Sequence, residues 1–334
     1  MDRVGIGLVG CGQFGESHLE AYRAVPQAEV AAVFDVDRSR AKEMAGRFEI
    51  PRVCDSLDDL CALPNVRAVD IVTPEPAHLE PVLCAFDHQK PVFVEKPLAT
   101  DLDHCRQMID ASTRTGCFLM AGHILRFETK YAMLKEEIAS GRMGRVVSMH
   151  ARRNRSRAHL TMYARVHPML ETAIHDIDMM LWYADQPVRK VRGYVRNATG
   201  ENPDVCWGIL EFADGAIGVV QTAWLLPDHG GIALDDAFQV FGSEGVGNLR
   251  LVPGSLSFWR EEGYSLPDVS YDPRVMNSAR GALRDELAYF CDCVAENRPP
   301  EINTGKDARR AVLIAKALME SAEKEQDVPI TDWD

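Results

Sequence analysis

The sequence predicts an α/β first half, a doubly wound parallel sheet, followed by an α+β second half built on a large, mostly antiparallel open sheet. Three observations carry this. Short apolar runs alternate with amphipathic segments up to Gly122, as in successive βα units. The glycine-rich loop Gly10-Cys11-Gly12-Gln13-Phe14-Gly15 joins the first run to the first amphipathic segment. Beyond Gly122 the apolar period shortens to two, punctuated by turn sequences such as Ala213-Asp214-Gly215 and Gly242-Ser243-Glu244-Gly245.

In the first half, residues 4–9, 30–35, 68–72, 91–94 and 117–121 read as strands, and 14–24, 39–47, 57–63, 76–87 and 102–115 as helices. Ser56 and Asp101 stand at expected helix N-caps, and Gly116 stands where the last helix must stop. The second half opens with a helix over 128–140, closed by Gly141 and Gly144. Strands then follow at 146–151, 188–195, 205–212, 216–224, 238–241 and 256–259, interrupted by one long helix at about 169–184. Two helices, 282–297 and 306–325, complete the sequence. The expected division is a dinucleotide-type domain over 1–122 and a substrate and oligomerisation domain over 123–334. An open sheet with helices on one face needs cover on the other, so a homodimer or homotetramer joined through the second-domain sheet is expected.

The 334 residues are 46% hydrophobic, enough for two cores. With 37 basic against 50 acidic residues the net charge is -13, which argues against a protein built to coat nucleic acid or an anionic membrane. No apolar run approaches the roughly 20 residues of a bilayer span, and Met1-Asp2-Arg3 leads straight into the first strand, so a soluble cytoplasmic protein is expected. The nine cysteines lack paired spacing and read as reduced thiols packed as small apolar side chains, Cys291 and Cys293 included.

The glycine loop carries the first functional expectation. Gly10 allows the strand-to-helix turn, Gly12 lets the backbone approach a pyrophosphate, and Gly15 lets the helix pack on the strand, with Gln13 and Phe14 in the same cradle. A purely structural turn is the alternative. Asp35, 20 residues after Gly15 at the tip of the second strand, favours the nucleotide, since a carboxylate there accepts from ribose hydroxyls and repels a 2′-phosphate. NAD is therefore expected over NADP. Arg38 stands where it could stack on adenine or meet a phosphate.

Two further segments offer chemistry. In Glu95-Lys96-Pro97 the lysine stands at the carboxyl end of a parallel strand, where doubly wound sheets bind ligands; a solvated loop charge is the plain alternative. On the long helix, Glu171, His175 and Asp178 fall at i, i+4 and i+7, one stripe that either faces solvent or lines a cleft. His167, Glu171 and His175 also recur every four residues and could hold zinc, but His167 precedes Pro168 at the helix start and the set drifts around the helix, so no metal is expected. Arginines crowd the stretch 145–165. They are either a salt-bridged strand edge or, through Arg153 with Asn154 beside it, a contact for an anionic group on the substrate. Tyr163 could offer its ring to a sugar, whereas Trp182 reads as core.

Taken together, Gly10-x-Gly12-x-x-Gly15, Asp35, Thr73-Pro74 with His78, Glu95-Lys96-Pro97, Gly122 with Arg126-Phe127, the helix His175-Asp176-Ile177-Asp178 and the closing Asn303-Thr304-Gly305-Lys306-Asp307 resemble, in order and spacing, the Gfo/Idh/MocA family of nicotinamide-dependent sugar and polyol dehydrogenases. The resemblance covers essentially the whole chain and is specific to the family, not to a substrate.

It implies a Rossmann domain that binds NAD through the loop, Asp35, Thr73, Pro74, His78 and Glu95. It also implies that Lys96 and His175 face the substrate, assisted by an acid at Glu171, with Arg126 among the tentative substrate contacts. The family more often has aspartate at the third place, and this chain departs from it there. Removing hydride from a carbinol carbon requires its hydroxyl proton to leave as well. An imidazole suits the base, an ammonium suits the developing alkoxide, and a carboxylate suits orientation of the imidazole. The expected activity is NAD-dependent oxidation of a secondary hydroxyl on a sugar, sugar derivative or cyclitol. Alternatives are a non-catalytic nucleotide-binding regulator of the same fold and a sugar-modifying enzyme that oxidises transiently with tightly bound NAD.

Overall fold

The computed structural model describes residues 3–229, 232–252, 254, 256–261 and 263–333. In chain order the elements are β1 Val4–Val9, α1 Gln13–Arg23, β2 Ala28–Phe34, α2 Arg38–Phe48, α3 Leu57–Cys61, β3 Ala68–Ile71, α4 Leu79–Asp87, β4 Val92–Glu95, α5 Leu102–Thr115 and β5 Leu119–Gly122. They continue with α6 Thr129–Ala139, β6 Val146–Ser156, α7 Ala158–Met162, α8 Pro168–Glu171, α9 Ala173–Ala184, β7 Val188–Arg196, β8 Val205–Phe212, β9 Ile217–Leu226, β10 Leu234–Gly242 and β11 Val246–Val252. Two small ribbons follow, β12 Phe258–Arg260 with β13 Gly263–Ser265 and β14 Arg274–Val275 with β15 Ser278–Ala279, then α10 Ala282–Glu296, α11 Gly305–Lys324 and β16 Val328–Pro329.

The chain divides into two compact units, Met1–Phe127 with Ser270–Arg309, and Glu128–Val269 with Arg310–Asp334. This differs from a single cut at 122/123, because α10 returns to the first unit. Its Leu283, Leu287, Phe290, Cys291 and Val294 join Val4, Ile6 and Phe93 in one buried cluster. The apolar stripe of α10 gives no hint of which sheet it will cover.

In the first unit all five strands run parallel in the order β2-β1-β3-β4-β5, the doubly wound sheet expected. Each of β1, β3, β4 and β5 is buried along its whole length, which is why their sequences are apolar apart from Asp70 in β3 and Glu95 at the end of β4. Asp37, Ser56 and Asp101 cap α2, α3 and α5 by accepting backbone N–H bonds, and Gly116 ends α5 in the left-handed region at φ 72. A cis peptide joins Lys96 to Pro97.

In the second unit seven strands run β11-β10-β6-β9-β8-β7-β16. The sheet is mixed: β6 and β9 are parallel, while the other pairs are antiparallel. Three local readings are corrected here. β6 extends to Ser156, so the arginine-rich stretch is itself strand. β11 has no counterpart in the expected strands because it is mostly half-exposed and lacks a clean apolar period. The helix expected over 169–184 is broken at Thr172 (φ -104), leaving Glu171 on α8 and His175 on α9 rather than on one continuous stripe. On the inner face, Gly218 leaves room for Met180 of α9, and Gly193 and Gly208 leave room for Leu318 of α11. The opposite face carries Tyr194, Trp207, Ile209, Ile217, Phe241 and Val246, all exposed. Among the described residues no helix is long and apolar enough to cross a membrane.

Candidate functional site

The glycine loop has the geometry of an anion cradle. Gly10 adopts φ 102, and a Cβ there would meet the Val72 carbonyl oxygen at 2.6 Å. A Cβ at Gly15 would collide with the Gly10 carbonyl, so that glycine is needed for α1 to reach β1. Gly12 is different: a Cβ there would meet no protein atom within 4 Å. Protein packing does not demand a glycine at that point, whereas close approach of a pyrophosphate does. Gly12 is also the N-cap of α1 and offers no side-chain acceptor, in contrast to the acid or serine caps of α2, α3 and α5. The positive end of α1 is left for an external anion. Gln13 and Phe14, the first residues of α1, are both exposed beside it.

Asp35 is nearly buried just beyond the end of β2. Its Oδ2 accepts the Cys11 N–H at 2.7 Å and its Oδ1 accepts the Asp37 N–H at 2.8 Å. One carboxylate thus fastens the loop to the next strand and sits where ribose hydroxyls would be read. The nearby guanidinium is Arg40, 3.5 Å from Asp35; Arg38 instead pairs with Asp55 at the surface. We expect Asp35→Ala to weaken NAD binding about tenfold and NADP binding less, measured by titration of both nucleotides. An unchanged ratio of the two affinities would contradict the ribose contact.

Thr73, Pro74 and His78 were expected to touch cofactor, and His78 is reassigned. It is wholly buried, its Nε2 lies 3.0 Å from the Thr73 carbonyl, and its Nδ1 lies 3.1 Å and 3.2 Å from those of Pro97 and Leu98. Burial lowers its pKa, and the ring sits between a carbonyl of the loop after β3 and two of the loop after β4, with one nitrogen of the neutral form donating. The Thr73 hydroxyl turns to the Ala77 carbonyl, closing the turn that begins at Pro74.

Lys96 emerges at the end of β4. It is half-buried between buried neighbours, Glu95 before it and Pro97, Leu98 and Ala99 after it. Glu95 Oε2 accepts the Lys96 backbone N–H at 3.1 Å, and Glu95 Oε1 lies 3.3 Å from His18 Nε2. Arg126 is buried against Asp307 at 3.2 Å, a contact that braces the segment after β5 and accounts for its charge within the first unit.

In the second unit His175 occupies a distinctive place. Ala173, Ile174, Asp176, Ile177, Asp178, Met179 and Met180 of α9 are buried, while His175 alone in that run reaches partial exposure. Glu171 accepts from the Thr172 hydroxyl and lies 2.9 Å from His159 Nε2. Thr172 in turn accepts the Trp224 indole N–H at 2.9 Å, and the His159 ring packs against Trp224 and Tyr163 with centroids 4.8 Å and 4.4 Å away. His159 and Trp224 were not foreseen as site residues, because both reach Glu171 or its neighbour only by folding. One face of Tyr163 is therefore already covered by an imidazole. His167 caps α8, its Nδ1 accepting the Met169 N–H at 3.1 Å, and burial drives its pKa down to about 4.

The anionic-substrate reading of Arg153 is overturned. Its side chain is 1% exposed and contacts Asp176 at 2.8 Å and 2.9 Å, Asp236 at 2.9 Å and the Tyr131 hydroxyl at 3.1 Å. The guanidinium is the hub of a buried charge cluster, joined by Arg155 at 2.6 Å from Asp236. Pleating sends the adjacent residues the other way. Asn154 donates to Asp235 and accepts from Gln221 and Ala223, on the sheet face that carries Trp207 rather than the face under α9.

Comparison with known proteins agrees with this geometry. Residues 4–123 match the family model described as "Oxidoreductase family, NAD-binding Rossmann fold", and residues 131–248 match the "GFO/IDH/MocA C-terminal domain". The chain belongs to the Gfo/Idh/MocA oxidoreductase family. NAD is its cofactor, and Gly10, Gly12, Gly15, Asp35 and the uncapped start of α1 are fitted to hold it. The chain is 36% identical over 206 residues, 60% of each chain, to the inositol 2-dehydrogenase of Acidothermus cellulolyticus. It is 27% identical over 98% of each chain to the myo-inositol 2-dehydrogenase of Thermotoga maritima. The crystal structure of GenD2 from gentamicin A biosynthesis in complex with NAD superposes with TM-score 0.82 at 25% identity, covering 99% of this chain and 97% of that one.

Proposed function

We propose that this NAD-dependent oxidoreductase oxidises one secondary hydroxyl of a cyclitol such as myo-inositol, with Lys96 and His175 acting on that hydroxyl. The observation that carries this is the matched exposure of the two groups: each is the one polar side chain to emerge from an otherwise buried stretch of its own unit. The relatives named as inositol dehydrogenases supply the substrate class. His175 would take the hydroxyl proton, and the Lys96 ammonium would stabilise negative charge developing on the same oxygen. Glu171, anchored by His159 and Thr172, would orient the imidazole. Bound NAD supplies the redox chemistry by accepting hydride.

Incubation with NAD and a panel of inositols, sugars and sugar acids tests the reading. Growth of reduced-nicotinamide absorbance with an inositol is the expected outcome. Tight NAD binding with no turnover on any of them would favour a regulator, and reduced nicotinamide retained on the protein without net release would favour transient oxidation.

The exposed apolar face of the second-unit sheet fits a second copy of this chain, giving a homodimer or homotetramer. Trp207→Glu with Ile209→Glu should reduce the mass measured by light scattering; an unchanged mass would place the interface elsewhere. All nine cysteines are free, which fits a reducing, cytoplasmic location.

A further inference from the structure

We propose that His18 is a positioning residue for Lys96: a buried imidazole between Asp70 and Glu95 that holds Glu95, and through it the Glu95–Lys96 peptide, at the end of β4. The proposal rests on the reading of Lys96 as a catalytic group.

His18 lies on the inner face of α1 and is wholly buried. Its ring is flanked edge-on by Phe14 at 5.0 Å and Phe93 at 5.8 Å. Both of its nitrogens face carboxylates: Nδ1 is 2.8 Å from Asp70 of β3, and Nε2 is 3.3 Å from Glu95 of β4. Nδ1 is hydrogen-bonded to Asp70, whereas Nε2 meets Glu95 at ion-pair distance without hydrogen-bond alignment; a neutral ring would turn a lone pair toward one of these carboxylates, which the doubly protonated ring avoids. Burial on its own disfavours that charge, but Asp70 and then Glu95 overcome it and push the pKa up to about 10. The ring is therefore a fixed positive charge at neutral pH rather than a proton shuttle.

The surroundings are arranged around the Glu95 carboxylate. Gly122 of β5 leaves space for it, since a Cβ there would stand 2.5 Å from Oε1. Among the described residues, Glu286 of α10 has its pKa raised well above the ordinary carboxylate value, by burial and then by Glu95, which disfavours a second charge there; Asn303 donates to its Oε1 at 2.8 Å. The Tyr22 hydroxyl is likewise buried and un-ionised. His18 thus supplies the buried countercharge to Glu95. With that charge in place, Glu95 uses its second oxygen to fix the Lys96 N–H, and its pull on the ammonium of the next residue is weakened. The ammonium is then better placed to serve a substrate oxygen.

The test is a double-mutant cycle on the full-length, NAD-loaded enzyme with myo-inositol as hydride donor. His18→Gln should lower kcat about tenfold or more and leave the NAD dissociation constant within about threefold. Placed on Lys96→Met it should cost less than about twofold further, because its effect passes through the missing ammonium. Losses that multiply, or a His18→Gln enzyme with unchanged kcat, would overturn the proposal. If His18→Gln does not fold, Glu95→Gln in the same cycle is expected to give the same non-additivity and decides in its place. An active Lys96→Met enzyme would refute the catalytic reading of Lys96 itself, an outcome distinct from an inactive Lys96→Met beside a fully active His18→Gln.

Discussion

Lys96→Met is expected to bind NAD as tightly as the parent protein and to lower kcat about a hundredfold or more. Methionine keeps the length and apolar body of the side chain and removes only the ammonium. The backbone of residue 96 remains tied through its N–H to Glu95, so the end of β4 should keep its shape. The glycine cradle and Asp35 contribute no atom to this change, and nucleotide affinity should be preserved. A charge aimed at an oxygen that becomes negative only as hydride leaves stabilises the transition state more than the ground state, so the loss should appear in kcat rather than KM. Equal titration curves for NAD together with a collapsed steady-state rate are the expected pair of measurements. A rate within a factor of three of the parent would remove Lys96 from the chemistry.

The second large effect concerns folding. Arg153→Met should destabilise the protein by about 3–5 kcal/mol, because Asp176 and Asp236 are left buried without their common cation. Burial pushes the Asp176 carboxyl upward even in the intact cluster, against the pull of Arg153. Chemical denaturation followed by tryptophan fluorescence reads the change; the buried Trp224 reports on the second unit. If uncompensated charge is the cause, replacing Asp176 by leucine in the same variant, with Asp236 still paired to Arg155, should restore much of the lost stability. A variant that kept full stability but lost affinity for an anionic substrate would instead return Arg153 to a binding role.

The first unit could be read closely from sequence because its strands are buried on both sides and its helix ends carry their own signals. α5 begins and ends where Asp101 and Gly116 say it should. The glycine loop was equally open to reading, since three glycines and one aspartate that shape it lie within 25 residues of each other, close to a single βαβ unit. What escaped depends on partners distant in the chain. The apolar pattern runs straight through Thr172, and nothing local shows that the helix breaks there or that the Thr172 hydroxyl accepts from Trp224, 52 residues on. Arg153 looked available for an anion because Asp236 lies 83 residues away on β10. The allegiance of α10 to the first unit and the contact of His18 with Asp70, 52 residues on, are hidden for the same reason. Periodicity tells a residue whether to be inside, but not whom it meets there.

A crystal structure of the protein with NAD and myo-inositol bound decides whether Lys96 and His175 meet at one hydroxyl. The Lys96 ammonium and a His175 ring nitrogen are both expected within about 2.6–3.2 Å of one and the same inositol hydroxyl. A complex in which that hydroxyl is met by neither group, or in which the two contact different parts of the ligand, would contradict this placement.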